Sequence, residues 1–503
     1  MYNFTPFFIF LTFFFYLYQN YNLYMENKTE FKKELGLLNA TSLVAGSLIG
    51  SGIFIVTSIM ARDIGGAGWI LLAWILTGFL TLAAALSYGE LAGMMPKAGG
   101  QYVYIQRAYG KMMSFLYGWT VFTVVQTGVI AAVAVAFAKY TAIFFPALSE
   151  NILEIGTYKI QYQQLLAILS IVVLTIINNQ GVKTGKNLQF IFTAAKLFAL
   201  FALIVFGLYI GLQSDTLANN FTDMWSASKT TIVDDKITTE VLTGFAIIGM
   251  LGFTMINSLF SSDAWNNITF IAGEIKEPQK NIPKSLFLGT LIVTIIYLLA
   301  NLAYFSLLPL DGNPLANDFL GQGIKYANED RLGASAASVI FGNAGVFIMA
   351  GLIMISTFGC NSGLILAGGR LFFAMSKDGL FFKSAGELNK NQVPEKALWM
   401  QCIWASVLCL SGKYGDLLTY ATFANLLFYI LTIYGIFILR KKEPDTPRPY
   451  KAFGYPFVPI LYITLISIIS VILLIYDTKN TGLGLGIVLL GIPIYYITQK
   501  KSE

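Results

Sequence analysis

Long apolar runs separated by short charged segments dominate the chain. With one exception, the runs are long enough for the roughly 20 apolar residues that a helix needs to cross a bilayer. They are continuous rather than alternating, which excludes an outer-membrane β-barrel. The pattern predicts twelve transmembrane helices over 39–61, 64–89, 112–138, 160–182, 187–214, 241–273, 285–310, 332–369, 397–411, 417–439, 452–476 and 480–499.

Composition supports an all-α polytopic membrane protein. Charged residues make up 12% of the 503 residues, about half of the ~25% that is usual in soluble domains. The chain has no histidine, which excludes Ser/His and Cys/His catalysis and His-ligated metals. We therefore expect no enzymatic activity, no metal site and no cofactor. The cysteines, Cys360, Cys402 and Cys409, lie in apolar windows and are expected to pack between helices.

The distribution of Lys and Arg predicts the orientation. When residues 25–38 are placed in the cytoplasm, 23 of the 33 Lys and Arg lie inside, 9 lie outside, and Lys196 lies within a span. Cytoplasmic loops of membrane proteins carry such an excess. We expect a multi-pass protein of the cell (inner) membrane with both termini in the cytoplasm. The net charge of +6 reflects this bias, so no nucleic-acid partner is expected.

Residues 1–24 form a separate hydrophobic segment. They have no positively charged start and no small-residue cleavage site before Met25, so they do not resemble a signal peptide. One hypothesis is that the native protein starts at Met25 and that residues 1–24 are spurious. The alternative is an extra, thirteenth helix, and the intact mass of the native protein distinguishes the two.

Two spans contain helix-breaking residues at mid-membrane depth. Residues 46–54 of the first read GSLIGSGIF, and each glycine costs a helix about 1 kcal/mol relative to alanine. Such a cluster serves either close helix packing or an unwound segment that lines a cavity. Residues 259–265 of the sixth read LFSSDAW, where Ser and Asp favour helix N-caps. This predicts one half-helix ending near Phe260 and another beginning near Ala264.

Spans one and six are five apart, which predicts two inverted five-helix repeats. Paired interruptions in such repeats mark a transporter site near the bilayer midplane. The half-helix after Gly52 would direct N–H groups at an anion, and the one ending at Phe260 would offer carbonyls to a cation. Such a site suits a zwitterion. The predicted units are a first repeat over 39–214, an inverted second repeat over 241–439, and helices eleven and twelve over 452–499.

Two charges lie within the predicted spans, where a charge is expensive and marks a function or a partner. Lys196 in span five either extends to the cytoplasmic surface or forms an internal ammonium that ties span one to span eight and could exchange a proton. Asp263 in span six is a helix cap, a ligand for a cationic substrate, or a group facing a water-filled path.

Four stretches in order carry a resemblance to a known family. They are GSGIF at 50–54, SYGEL at 87–91 with PKAGGQYVY at 96–104, NLQ through FTAAK at 187–196, and EIKEPQKNIP at 274–283. On these motifs the chain resembles amino acid permeases of the amino acid–polyamine–organocation superfamily, and is similar to the L-amino-acid transporter group, over about residues 35–498. The resemblance implies two inverted five-helix repeats with discontinuous helices 1 and 6, followed by two extra helices.

The resemblance also implies a substrate site at the two breaks. It implies that the N–H groups of Ser51 and Gly52 receive the substrate carboxylate, and that the ring of Phe260 forms an aromatic gate. Lys196 matches a family lysine that stands where related transporters bind sodium, which argues against sodium coupling. The implied ammonium acceptors are the carbonyls of Leu48, Phe260 and Asp263, and the implied neighbours of the substrate are Ser47, Gly50, Ser261 and Ser262.

The chain departs from the family pattern at the second break. Ser262 stands where many relatives have an aromatic residue, and Ala264 stands where they have glycine. Substrate preference is therefore not transferred from any relative. The expected function is secondary transport of small or medium neutral amino acids by alternating access, by proton symport or by exchange. A membrane amino acid sensor or a channel on the same fold is the alternative.

Overall fold

A computed structural model describes residues 33–155, 158–233, 236–411 and 414–500. The choice between a start at Met25 and a thirteenth helix falls outside these ranges. Within them, nine helices are long and apolar enough to cross a membrane, and shorter apolar helices lie beside the two predicted breaks. The described part of the chain thus confirms a polytopic helical membrane protein.

The first half of the chain is mainly helical. Its elements are α1 (Leu37–Leu48), α2 (Val56–Ile64), α3 (Ala67–Met94), α4 (Gln101–Tyr109), α5 (Lys111–Thr120), α6 (Gln126–Thr141), β1 (Asn151–Ile155), β2 (Tyr158–Gln161), α7 (Tyr162–Asn179), α8 (Val182–Gly211), α9 (Thr216–Thr222), β3 (Ser228–Val233) and β4 (Lys236–Val241). A π-helical turn, Val121–Val125, joins α5 to α6, so these two helices form one span.

The second half contains only helices and loops among its described residues. Its helices are α10 (Phe245–Ser261), α11 (Asn267–Phe270), α12 (Pro278–Leu307), α13 (Phe319–Gln322), α14 (Leu332–Phe341), α15 (Asn343–Lys377), α16 (Glu395–Ser411), α17 (Tyr414–Lys442), α18 (Phe457–Tyr476) and α19 (Thr478–Lys500).

Each of the twelve predicted windows coincides with a helix or with a pair of helices. The window at 332–369 is longer than one span because it contains both α14 and the start of α15. Gly342, with a φ of 63°, separates these helices, since glycine adopts this left-handed conformation at little cost. The short window at 397–411 corresponds to α16.

The outer loops contain structure that hydropathy does not predict. Strands β1 and β2 form one antiparallel hairpin, and β3 and β4 form another. The second hairpin contacts span one, where Gly65 pairs with Ala227. Helix α4, on the side predicted to be cytoplasmic, is likewise absent from the apolar pattern because it is amphipathic and short.

Helix α12 lies at the centre of one half of the molecule, where it packs against α1, α3 and α8. Helix α15 is the corresponding centre of the other half and packs against α6, α7 and α8. The broken helices α1/α2 and α10/α11 lie between these groups. This order of long and broken helices is the one expected for two inverted five-helix repeats followed by two helices. The repeat boundaries at 39–214 and 241–439 and the pair over 452–499 stay predictions.

Candidate functional site

The first helix break is an unwound segment in the protein interior. Helix α1 ends at Leu48, Ile49 is extended, and a single 3-10 turn, Gly52–Phe54, precedes α2. Within the described residues, the N–H groups of Gly52 and Ile53 donate no backbone hydrogen bond. Non-helical backbone at this depth is tolerated only where it is buried in protein or lines a cavity.

Lys196 of α8 holds this unwound segment. Its side chain is fully buried, and Nζ donates to the carbonyls of Gly46 at 2.8 Å and Ile49 at 2.7 Å. The ammonium therefore points into the protein rather than to the cytoplasmic surface. Span eight reaches the same segment through two other residues: Ser356 Oγ donates to Ile49, and Cys360 Sγ donates to the carbonyl of Ser47.

The second helix break differs from the prediction in its far boundary. Helix α10 ends at Ser261, as expected, but the next helix begins at Asn267 rather than near Ala264. Ala264 has a φ of 65°, a left-handed conformation that is unfavourable for residues with a Cβ atom. The chain reverses at Ala264, and this delays the second half-helix by about one turn.

The two breaks touch each other. A Cβ atom on Gly52 would lie 2.1 Å from the Ser261 Oγ atom, so only glycine fits against α10 here. The Tyr297 hydroxyl of α12 lies 2.9 Å from the Leu48 carbonyl and 3.0 Å from the Ser261 carbonyl. Tyr297 thus connects the carbonyl ends of both half-helices, a role that hydropathy does not indicate.

Several predicted site residues are already engaged in this structure. The Leu48 carbonyl also accepts from the Gly50 N–H at 2.9 Å, and the Phe260 carbonyl accepts from the Asp263 N–H at 3.1 Å. These acceptors are the ones that the family resemblance assigns to an ammonium. A carbonyl oxygen can accept two hydrogen bonds. At Leu48, which already accepts from Gly50 and Tyr297, a bound ammonium would therefore replace one of these donors.

The Asp263 carboxylate is held by a different helix from its own. Asn425 Nδ2 of α17 donates to both carboxylate oxygens, at 3.1 and 2.9 Å, and the Tyr429 hydroxyl donates to Oδ1 at 2.5 Å. Asp263 is not the N-cap of α11, because that position is occupied by Asn266. An asparagine within an apolar span is the one sequence signal that could have identified Asn425.

Two small cavities flank Asp263. Each has a volume of about 20 Å³, which is enough for about one water molecule. Asp263 and Asn425 line both cavities, and Ser262 lines one of them. Ser47, Ser51 and Phe260 are buried and line neither. The structure therefore gathers all the predicted residues around the breaks but leaves no space the size of an amino acid between them.

Contacts on the predicted outer side close the path to the site. Arg62 of α2 donates to Asp330 at 2.6 Å and to the Lys325 carbonyl at 2.8 Å. One turn earlier in α2, the Ser58 hydroxyl donates to the Ile324 carbonyl at 2.6 Å. These contacts bind span one to the outer segment that follows α12.

The predicted inner side is closed by the segment that precedes α1. The N–H groups of Glu34 and Leu35 both donate to the Glu274 carbonyl, and Lys276 donates back to Leu35. The Glu274 carboxylate in turn accepts from Arg370 Nε at 2.7 Å, and both side chains are almost fully buried. The inner ends of spans one, six and eight are thus joined, and the structure is closed on both sides.

Two arginine–glutamate pairs organise the rest of the inner face. Arg440 binds Glu90 through two hydrogen bonds of 2.9 and 2.6 Å, and Arg107 binds Glu443 with the same two distances. Glu90 is buried, whereas Glu443 is partly exposed. The Arg107 guanidinium lowers the pKa of the Glu443 carboxyl below its ordinary value because it stabilises the charged form.

The three cysteines are buried and free, as their apolar windows predict. Cys360 packs beside the first break, where its Sγ atom lies 3.4 Å from the position of a Cβ on Gly50. In the described residues, no cluster of Cys, Asp and Glu could hold a metal ion.

The comparisons with known proteins all find similarity to amino acid permeases and transporters. The family model for "Amino acid permease" matches residues 35–497. The human large neutral amino acids transporter small subunit 2 is 29% identical over 479 residues, which cover 93% of this chain and 80% of the relative. The serine/threonine exchanger SteT of Bacillus subtilis is 30% identical over 474 residues, covering 94% and 98%. The mouse Asc-type amino acid transporter 1 is 27% identical, covering 93% and 81%.

Proposed function

Since the chain belongs to the amino acid permease family, we propose that it is a secondary active transporter that moves amino acids across the cytoplasmic membrane by alternating access. The similar proteins are amino acid transporters and an exchanger by name. We propose the inner membrane as its location, with both termini in the cytoplasm, because of the predicted excess of inner Lys and Arg.

The observation that carries this proposal is the contact of two unwound segments in the protein interior, with closures on either side. Gly52 packs directly against Ser261, while Arg62 and Glu274 take part in the outer and inner closures. Alternating access requires a central site that opens to one side at a time. The contact of the breaks, with both sides closed, fits a closed state of such a site.

The substrate would bind by separating the breaks. We propose that the N–H groups of Ser51 and Gly52 receive the carboxylate, at the start of the 3-10 turn. The carbonyls of Leu48, Phe260 and Asp263 would receive the ammonium, with the ring of Phe260 as a gate above it. The carboxylate end is favoured by free N–H groups at Gly52 and Ile53, which have no backbone acceptor in the described chain.

We propose neutral amino acids of small or medium size as substrates. The Asp263 carboxylate already accepts hydrogen bonds from Asn425 and Tyr429. It therefore has partners within the protein and does not require a cationic side chain of the substrate. Ser47, Gly50, Ser261 and Ser262 would surround the substrate with small side chains. These leave room for a side chain of limited size once the breaks separate.

We propose that transport is independent of sodium. Lys196 already supplies a positive charge to the Gly46 and Ile49 carbonyls, and these oxygens are the kind of ligand that a sodium ion would need. Proton symport and obligatory exchange are both consistent with this arrangement. In a symporter, Lys196, a carboxylate or the substrate itself would carry the proton.

The test is uptake of a panel of radiolabelled amino acids into proteoliposomes that contain the purified protein. We expect uptake of neutral amino acids, unaffected by sodium, and stimulated either by an inward proton gradient or by internal amino acid. Saturable binding without uptake under any of these conditions would indicate the amino acid sensor instead. Conductance without saturation would indicate a channel.

Gly52→Leu serves as the site variant in this assay. The leucine side chain would occupy the carboxylate position and overlap Ser261, so binding and uptake should both be lost. Gly482→Leu is the control, because a Cβ atom there meets open space. Normal uptake by the Gly52→Leu protein would refute the assignment of the carboxylate site.

A further inference from the structure

The molecule has a much larger cavity away from the helix breaks. Its volume of about 680 Å³ is more than thirty times that of each cavity beside Asp263. It is an open groove between the start of α12, the end of α3 and the segment that precedes α18. We call it the inner groove and define it by six of its lining residues: Leu86, Lys280, Lys284, Phe287, Tyr450 and Phe453.

The rim of the inner groove is basic. Lys280 and Lys284 are one helical turn apart on α12, and both side chains are exposed. In the described residues, Lys284 forms no ion pair. Lys280 has one acidic neighbour, Glu277, at 3.6 Å, and both of these side chains are mostly exposed. An exposed pair of this kind is weak, so the rim keeps a net positive charge.

The rest of the inner groove is apolar. Phe287, one turn beyond Lys284, is 38% exposed, and Phe453 on the opposite wall is 65% exposed. Leu86 of α3 completes this part. Exposed phenylalanines are unfavourable in water. Beside basic residues they are favourable at the membrane interface, where an apolar surface meets the acyl chains and the charges meet the headgroups.

The depth of the inner groove in the membrane matches the depth at which a phospholipid lies. The charge-free part of span seven starts at residue 285, so the two lysines lie just before the hydrocarbon region and Phe287 lies within it. The lysines are about 6 Å apart along the helix axis. In the predicted orientation, their ammonium groups lie at the phosphate level of the cytoplasmic leaflet, and the apolar wall lies where acyl chains begin.

We propose that the inner groove binds an anionic glycerophospholipid, with its phosphate at Lys280 and Lys284 and its acyl chains against Phe287 and Leu86. Basic pockets between helices on the cytoplasmic side recognise anionic headgroups in this way. This binding is independent of the amino acid site, because no residue of the inner groove belongs to the helix breaks.

The walls of the inner groove are preformed. The Glu90 carboxylate accepts from the Ala452 N–H at 2.7 Å and pairs with Arg448 at 3.3 Å, which holds the loop wall in place. The ring of Tyr450 packs so closely against α3 that a Cβ on Gly89 would lie 2.7 Å from it. A lipid would therefore bridge α3, α12 and the loop without reorganising them.

Native mass spectrometry of the purified, delipidated full chain tests the proposal. The protein is titrated with phosphatidylglycerol and with phosphatidylcholine of the same acyl chains. We expect at least about fivefold more phosphatidylglycerol bound, because of the two lysines. The Lys280→Gln/Lys284→Gln protein should lose this preference. Lys390→Gln/Lys441→Gln, which removes two exposed charges elsewhere on the inner face, should keep it.

Three results would overturn the proposal: equal binding of the two lipids, an unchanged preference in Lys280→Gln/Lys284→Gln, or displacement of the lipid by millimolar inorganic phosphate. The last result would indicate a soluble anion as the occupant. An equal melting temperature of the variant and the parent without lipid confirms that the variant folds. A Phe453→Trp protein locates the lipid independently, since brominated phosphatidylglycerol should quench its added fluorescence and brominated phosphatidylcholine should not.

Discussion

At the scale of single residues, Lys196 makes the most consequential contact. Its ammonium is the charged donor to the Gly46 and Ile49 carbonyls of the unwound segment. A buried carbonyl that loses its donor costs about 1–3 kcal/mol. Lys196 therefore stabilises the unwound backbone of the first break. Without this donor, a continuous helix would be the more favourable conformation.

Lys196→Ala should reduce uptake per folded molecule at least tenfold. The loss of about 1.4 kcal/mol of interaction free energy at the site already changes an equilibrium constant tenfold. The measurement is the initial rate of uptake at several pH values, normalised to folded protein. Cys360→Ser is the control, because serine can still donate to the Ser47 carbonyl. Rates that equal the parent's at every pH would contradict a role for Lys196 at the site.

Ala264 is the second residue of interest, because its backbone adopts a left-handed conformation that is unfavourable for alanine. Its left-handed backbone costs a non-glycine residue about 1–2 kcal/mol. Ala264→Gly should leave the melting temperature equal or higher, since the relief of strain exceeds the entropy of about 0.4–1 kcal/mol that glycine adds to the unfolded chain. Ala264→Val should lower it. Thermal unfolding of the two purified variants checks this, and a less stable glycine variant would contradict it.

At the scale of elements, the inner face offers a matched comparison of two ion pairs. Arg440–Glu90 and Arg107–Glu443 have the same hydrogen-bond lengths, but Glu90 is 1% exposed and Glu443 is 28% exposed. The burial of Glu90, together with the second arginine, Arg448, that lies 3.3 Å from it, should therefore make its pair the stronger contributor. Glu90 also holds the Ala452 N–H, so it connects α3 to both α17 and the loop before α18.

Glu90→Gln should destabilise the protein by about 3 kcal/mol, the cost of breaking a buried pair. Glu443→Gln should cost less than about 1 kcal/mol, as exposed pairs do. The lowered pKa of Glu443 means that its small contribution is present at neutral pH and is lost as the pH falls through the carboxyl's titration range. Thermal unfolding of both variants at neutral and acidic pH measures these differences, and equal costs would contradict the prediction.

At the scale of the whole molecule, the proposed alternating access requires the closures on the two sides to open in turn. The outer closure depends on Arg62, which reaches both Asp330 and the Lys325 carbonyl. The inner closure depends on backbone pairing between residues 34–35 and 274–276. The outer closure thus depends on one partly exposed arginine, whereas the inner closure combines the buried Arg370–Glu274 pair with backbone hydrogen bonds that a single side-chain substitution does not remove.

Arg62→Gln should shift the population toward a state open to the outside. A change of about 1 kcal/mol gives a roughly fivefold change in population. A Ser58→Cys reporter, buried beside Ile324, should react correspondingly faster with a membrane-impermeant maleimide. Lys479→Gln, which removes an exposed charge in the first turn of α19 at its predicted outer end, should leave the rate unchanged. Equal labelling of the Arg62→Gln protein would contradict a latch at Arg62.

The amino-acid sequence by itself determined the twelve spans, the positions of both helix breaks and the burial of the cysteines. These depend on local composition: runs of apolar side chains favour membrane insertion, and Gly46–Gly52 and Ser261–Asp263 disfavour a continuous helix wherever they are placed. The excess of inner Lys and Arg is likewise a property of short segments.

Only the tertiary structure decided which groups complete the breaks. Asp263 and Asn425 are 162 residues apart, and Tyr297 is 249 residues from Leu48. Such partners depend on the rotation and depth at which one helix packs against another, and hydropathy is nearly the same for many rotations. The start of the half-helix at Asn267 rather than near Ala264 has the same origin. The contacts of Asp263 with α17 accompany the left-handed backbone at Ala264, which delays the half-helix.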